Sequence, residues 1–334
     1  MNGEVLMSTV SKAQMLLPRE RAYRLQQRLL DSCLILFALA MGIYFSFVSP
    51  YFLSMKNFMN ILSSVSIVGI IATGMTLIII TKGIDLSVSS TIALSGCLLA
   101  LGLERLHLPW GLAVLMALGC GILSGMLNGM LITRLRVPPF IATLGTLNIM
   151  RGIAFIITNG QAIYTPSKQV AFWGAGYLFG VIPVPGIITL VAFVVIWAIS
   201  KFTVFGRQVF AIGGNAVASR LSGINVDTIK FTLYTLTGFL AAVSGMVMLG
   251  LASTAMPSAG DGYNLDTITA VYLGGNSSEG GEGSIWRTLL GVLIIGLMNN
   301  GMALLSVQSY WQTFAKGCLL IIAVVIDVLR RPSA

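Results

Sequence analysis

Residues able to do chemistry are few in this chain, and they stand in unusual company. In TLIIITKGIDLSVSSTIALSG, residues 76–96, the carboxylate of Asp85 and the hydroxyls of Ser87, Ser89 and Ser90 interrupt otherwise apolar sequence. An ionised carboxylate at the centre of a bilayer costs about 2.5–3.5 kcal/mol on insertion scales, so its position demands a reason. Lys82-Gly83 ends one apolar run and Asp85 opens the next. There a helix N-terminus favours negative charge, and Ser87 or Ser89 can satisfy free amides. This stretch therefore reads as a helix cap at a membrane interface, as a broken-helix junction facing an aqueous cavity, or as both.

The remaining embedded polar groups follow helical spacing. Asn128 and Ser124 flank the stripe Gly121, Gly125, Gly129; Asn148 and Arg151 share a face at i, i+3; Asn299 and Asn300 sit deep in a late apolar run. Asp85, Ser87, Asn128, Asn148, Arg151 and Asn299 are thus the candidates for a translocation pathway, and Lys316 reads as a snorkelling lysine. Catalysis lacks its parts. The single histidine, His107, lies beside Pro109 in a connecting stretch, and the sequence contains no HExxH and no cluster with metal-ligand spacing. LGGNSSEGGEGS, residues 273–284, resembles a phosphate-cradling loop, yet no GxxxxGK[ST] occurs. No cofactor or metal is expected.

Such groups need scaffolding, and the composition says which kind. The 334 residues are 56% hydrophobic and 9% charged, with a mean hydropathy of +0.90, against about 25% charged residues in soluble domains. Apolar runs of spanning length, roughly 18–25 residues, recur from 32 to 328 without strand-like alternation. The fold class is all-α, a polytopic helical membrane protein. Charges and turn residues delimit about ten segments, near 32–50, 58–81, 86–104, 109–133, 138–158, 186–204, 230–252, 264–274, 285–305 and 311–328. The eighth is too short to cross unaided and must be broken or re-entrant. The net charge of +9 punctuates the apolar runs rather than forming one basic face, which argues against nucleic acid. Cys33, Cys97, Cys120 and Cys318 read as small buried hydrophobes, without CxxC spacing.

Orientation follows from the basic residues. With the N-terminus inside, fifteen fall on the cytoplasmic side: Lys12, Arg19, Arg21, Arg24 and Arg28 before the first span, then Lys82, Arg134, Arg136, Lys201, Arg207, Arg220, Lys230, Arg287, Arg330 and Arg331. Only Lys56, Arg105 and Lys168 face the other way. Both termini are then cytoplasmic, and ten crossings satisfy the charges where eight do not. The expected organisation is a cytoplasmic tail at 1–31, the membrane region at 32–328 and a short tail at 329–334. The first span begins too late, and lacks the cleavage site, for a signal peptide. The long cytoplasmic stretch, about 205–230, carries NAVASRLSG between glycines. This spacing predicts a short helix capped by Asn215 and ended near Gly223, either a filler or a docking surface.

Four blocks of sequence carry a specific likeness: GMTLIIITKGIDLSVSS (74–90), VPPFIATLGTLNIMRGIAFIITNG (137–160), FGRQVFAIGGNAVASRLSGINV (205–226) and VYLGGNSSEGGEGS (271–284). In their order and spacing the chain resembles the permease subunits of bacterial ABC importers for ribose, arabinose and related monosaccharides, from about residue 30 to 328. It departs from that pattern at Ser89, usually glycine, and at Glu279, usually apolar. The resemblance implies a multi-pass protein of the bacterial inner membrane that pairs with a second copy or a sister permease. A cytoplasmic ABC ATPase would drive it, and a periplasmic sugar-binding protein would deliver its solute. Carried over by position, Gly213, Gly214, Asn215, Ala218, Ser222, Gly223 and Ile224 would receive the ATPase's motion. Lipid is the surrounding partner.

Two other classes compete. An ion-coupled secondary transporter would place Asp85, Arg151 or Lys316 at a midplane site, but Asp31, Asp85, Asp266 and Asp327 all fall at span ends. A scaffold or receptor would need a soluble module that the sequence does not provide. Trp173, Tyr263 and Trp311 read either as sugar-stacking aromatics or as an interfacial belt.

Overall fold

A computed structural model describes residues 34–329. The five basic residues before the first span, Asp31, Cys33, Arg330 and Arg331 lie outside the described residues, as do the tails at 1–31 and beyond 329. The chain folds into helices throughout, in the order α1 Leu34–Val48, α2 Met55–Ile80, α3 Val88–Glu104, α4 Trp110–Thr133, α5 Pro139–Thr158, α6 Lys168–Ala175 and α7 Val184–Phe202. There follow α8 Val204–Gly214, α9 Ala216–Leu221, α10 Val226–Ala252, α11 Tyr263–Leu273, α12 Ile285–Leu304 and α13 Ser309–Leu329. Among the described residues six helices (α2, α4, α5, α7, α10 and α12) are long and apolar enough to cross a bilayer. The protein is an all-α polytopic membrane protein.

Two helices organise the rest. α2 is buried along most of its length, its residues from Val65 to Ile80 enclosed on every side. A helix apolar all round is stable only when neighbours surround it, and α7, α10, α11 and α12 do so. α10 lies against α2, α3 and α4. The glycine stripe on α4 forms its seam with α10. A Cβ at Gly121 would meet the Gly238 carbonyl, one at Gly125 the Tyr234 carbonyl, and one at Gly129 the Phe231 side chain at 2.8 Å. Such close backbone approach is what small residues permit in apolar surroundings.

Three features depart from the expected pattern. The stretch at 205–230 begins with an additional helix, α8, because Gly206, Val209, Ile212 and Gly213 recur on one face and pack beneath the bundle. The connection between α5 and α7 holds α6 and a small ladder of Tyr177–Leu178 on Ile182–Pro183, while Ile163–Tyr164 pairs antiparallel with Thr254–Ala255. Cys318 is exposed on α13 rather than buried.

Candidate functional site

The opening of α3 is built from a broken helix. α2 stops at Ile80 in a Schellman arrangement: Gly83 N–H donates to the Ile78 carbonyl at 3.0 Å and Lys82 N–H to that of Ile79 at 2.9 Å. The left-handed residue is Lys82 (φ 60) and not the glycine. Gly83 instead provides room, since a Cβ there would lie 2.7 Å from the Tyr234 hydroxyl. The chain then turns inward. Asp85 Oδ1 accepts from Ser87 N–H (2.9 Å) and Ser87 Oγ (2.6 Å), an Asx-type turn that sets Ser87 at the N-cap of α3.

Two further helices complete this cluster. Asn128 of α4 donates Nδ2–H to Ser87 Oγ (2.7 Å) and, at 3.4 Å, to Asp85 Oδ1; Thr146 of α5 donates Oγ1–H to Asn128 Oδ1 (2.6 Å). Tyr234 of α10 donates to the Ile84 carbonyl at 3.2 Å, and Thr91 and Ser124 hydroxyls meet at 2.9 Å. Asp85, Ser87, Asn128 and Thr146 are all buried. Asn128 lies five residues before the end of α4 and Thr146 seven after the start of α5, about 8–10 Å inside the helix ends at 1.5 Å per residue. Asp85 therefore both leads into the N-cap of α3 and lies buried within the bundle. It belongs to a hydrogen-bonded junction inside the bundle, beside the buried Ser90 Oγ that has no partner among the described residues, where non-helical backbone is sheltered from lipid.

The other sequence candidates are dispersed. Asn148 bonds the Leu144 carbonyl of its own helix at 3.0 Å and is exposed. Arg151, on the same helix face, turns instead to the segment before α11. It donates to the Pro257 and Ala259 carbonyls and pairs with Asp261. Asn299 Oδ1 is buried and unpartnered among the described residues, whereas Asn300 exchanges hydrogen bonds of 2.8 and 2.9 Å with Asn57. Lys316 does not snorkel: its Nζ lies 2.7 Å from Asp266, a nearly buried carboxylate in the first turn of α11. Thr146, Asp261 and the Lys316–Asp266 pair escaped sequence reasoning. For Thr146 a signal existed in its i, i+3 spacing from Thr143 within an apolar run.

A second polar region lies where α2, α8 and the 277–283 loop converge. Gly281 N–H donates to the Ile80 carbonyl at 2.9 Å, and a Cβ at Gly213 would meet both that carbonyl and Gly281 N. Gly280 (φ 73) and Gly281 (φ 77) take backbone angles open to glycine. Ser278 of the loop donates N–H (3.1 Å) and Oγ–H (2.8 Å) to Asp327 on α13. From this joint α9 projects. Asn215 caps it, Oδ1 accepting from Val217 and Ala218 amides at 3.0 and 2.9 Å, and Gly223 (φ 83) ends it. Gly214, Ala218, Ser222 and Gly223 are exposed, Ile224 is half-buried and Gly213 is buried. Val217 and Leu221, 71% and 86% exposed, make an apolar pair on a free surface.

The family model for the branched-chain amino acid transport system/permease component matches residues 57–324. This chain belongs to that family. It is similar to the ribose import permease protein RbsC of Bacillus subtilis, 44% identical over 86% of this chain and 89% of that protein. The RbsC of Escherichia coli strain K12 is 41% identical over 92% and 95%. The fructose import permease protein FrcC of Rhizobium meliloti is 35% identical over 90% and 85%. No solved structure matches. The chain is a permease subunit of an ABC importer and not an enzyme, and an ion-coupled carrier is not favoured. A permease of this kind works with a separate ATPase.

Proposed function

We propose that this chain is the membrane subunit of an inner-membrane importer for a monosaccharide or a related small polar solute, delivered by a periplasmic binding protein and driven by a cytoplasmic ATPase. The observation that carries this reading is the identity of 41–44% with two ribose import permeases over most of both chains. The membrane region spans 32–328 in ten crossings with both termini in the cytoplasm. Eight basic residues, from Lys82 to Arg287, gather at the helix ends around α8 and α9, against Lys56, Arg105 and Lys168 at the other, which supports that orientation. The eighth crossing combines the segment 253–262, which carries the short Thr254–Ala255 strand, with the half-length helix α11.

The ATPase docks on Gly214, Asn215, Ala218, Ser222, Gly223 and Ile224, with Gly213 linking that surface to α2 and the 277–283 loop. Exposure of Val217 and Leu221 beside them supports a protein partner. Asn148 faces outward on α5 with Gly145 and Gly152, near which nothing approaches within 4 Å. An exposed amide within a span is costly in lipid, so a second permease, identical or a sister chain, packs there. Asp85, Ser87 and Asn128 form the junction at the inner end of the pathway; Arg151 holds the segment before α11, and Asn299 lies toward the outer end.

Reconstitution tests this reading. Proteoliposomes holding the chain, its ATPase and its binding protein should accumulate ribose or a related monosaccharide uphill only with ATP. Uphill uptake by the chain alone, or labelling of a cysteine at position 215 from the outside, would contradict it.

A further inference from the structure

A cavity of about 670 Å³ opens on the flank of the bundle, between the end of α4 and the first turns of α10. Its wall has two characters. Met130 and Leu135, 47% and 64% exposed, and half-buried Phe231 make one side apolar. Arg134 stands among them, and its guanidinium has no hydrogen bond or ion pair among the described residues. At the rim Asp227 is gripped by Arg136 through two hydrogen bonds (3.2 and 3.0 Å) and by Arg220 (3.3 Å). Two guanidiniums thus share one carboxylate, and Arg134 adds a further positive charge along the cavity wall. Below the cavity the apolar side continues along α4, where Leu123 (66%), Met126 (39%) and Met130 form one exposed stripe at i, i+3, i+7.

An unpaired guanidinium at the end of two spanning helices, continuous with an exposed apolar track, matches one kind of molecule: a phosphate bearing an acyl chain. Basic pockets between helices at a membrane surface bind anionic headgroups in this way. An acidic peptide would use the arginines and leave the track bare. We propose that this cavity holds an anionic phospholipid, its phosphodiester on Arg134 in the field of Arg136 and Arg220, and one acyl chain along Phe231, Met130, Met126 and Leu123. A zwitterionic lipid fits the same track but gains little from the field. The site requires only that these helix ends lie at a membrane surface; it is independent of the solute, and only Arg220, on α9, adjoins the proposed ATPase surface.

Native mass spectrometry of the purified full chain, titrated with phosphatidylglycerol, phosphatidylcholine or inorganic phosphate, tests the site. Phosphatidylglycerol should be retained in preference to phosphatidylcholine, and excess inorganic phosphate should not displace it. Arg134→Gln should weaken retention about fivefold, the effect of about 1 kcal/mol per basic residue near a membrane surface, while Lys56→Gln at the opposite end leaves it unchanged. Should Arg134→Gln fail to accumulate, Met130→Glu, at an exposed position, must remove the same preference. Equal retention of the two lipids overturns the proposal. So does displacement by inorganic phosphate, which marks a plain anion site. Loss of ATPase co-purification in Arg134→Gln with lipid retention intact marks a protein-docking surface and overturns it too.

Discussion

A carboxylate enclosed by helices survives only if donors reach it, and Asp85 draws its donors first from two residues ahead and then from Asn128. Asparagine at 85 retains an acceptor for Ser87 while removing the charge. Asp85→Asn should therefore reach the membrane at normal levels and lower uptake about tenfold, equivalent to about 1.4 kcal/mol of barrier. Parallel loss of protein and uptake on membrane blots would make the residue purely structural. Lys316 offers the converse case. Lys316→Met leaves the Asp266 carboxylate unpaired in a nearly closed environment, at a cost of about 3–5 kcal/mol. Adding Asp266→Asn should restore most of the melting temperature in detergent, and a double variant no more stable than the single one would refute the pairing. At this scale Asp85, Ser87 and Asn128 were legible because polar types within apolar runs announce themselves. Their meeting with Thr146 was not, since a threonine can satisfy itself on its own helix, as Thr146 also does. Nor was the Arg151–Asp261 pair, whose members lie 110 positions apart.

Helices of a membrane protein gain little from apolar contact alone, because lipid is as apolar as their neighbours, so closeness of approach decides which faces meet. The α4–α10 seam makes this testable. Gly125→Ala drives a methyl group into the Tyr234 carbonyl and Thr235 Cα, main-chain atoms that cannot rotate away. It should cost about 1–3 kcal/mol, read as a lowered melting temperature. Gly119→Ala, on the same helix with nothing within 4 Å, should be neutral or stabilising by up to about 1 kcal/mol. Equal behaviour of the two would mean that this seam does not govern stability. Each of the ten apolar runs marked in the sequence contains a helix, and six of these helices are long and apolar enough to cross a bilayer among the described residues, where a helix satisfies its own backbone. What periodicity did not reveal was α8, whose alternation of glycine with Val209 and Ile212 looks like a loop until the underside of the bundle is in place. The pairing of Ile163–Tyr164 with Thr254–Ala255 was equally hidden, joining segments about ninety positions apart, while the 177–183 ladder is a short local hairpin turned at Phe179 and Gly180.

For the molecule as a whole, the docking surface proposed on α9 is the place to probe its work without disturbing its fold. Ala218 is exposed, so Ala218→Trp adds bulk only where a partner would sit. Co-purification of the ATPase should fall with uptake, each by about tenfold for some 1.4 kcal/mol of lost contact, while the binding protein's affinity for its solute stays unchanged. Normal co-purification with normal uptake would remove α9 from the coupling path. Behind that surface, main chain touches main chain at Ile80, Gly213 and Gly281, and no side chain lies between them. If α9 receives the ATPase, a push at Asn215 would meet the foot of α2 directly through this backbone contact and its Gly281–Ile80 hydrogen bond, and α13 through Ser278.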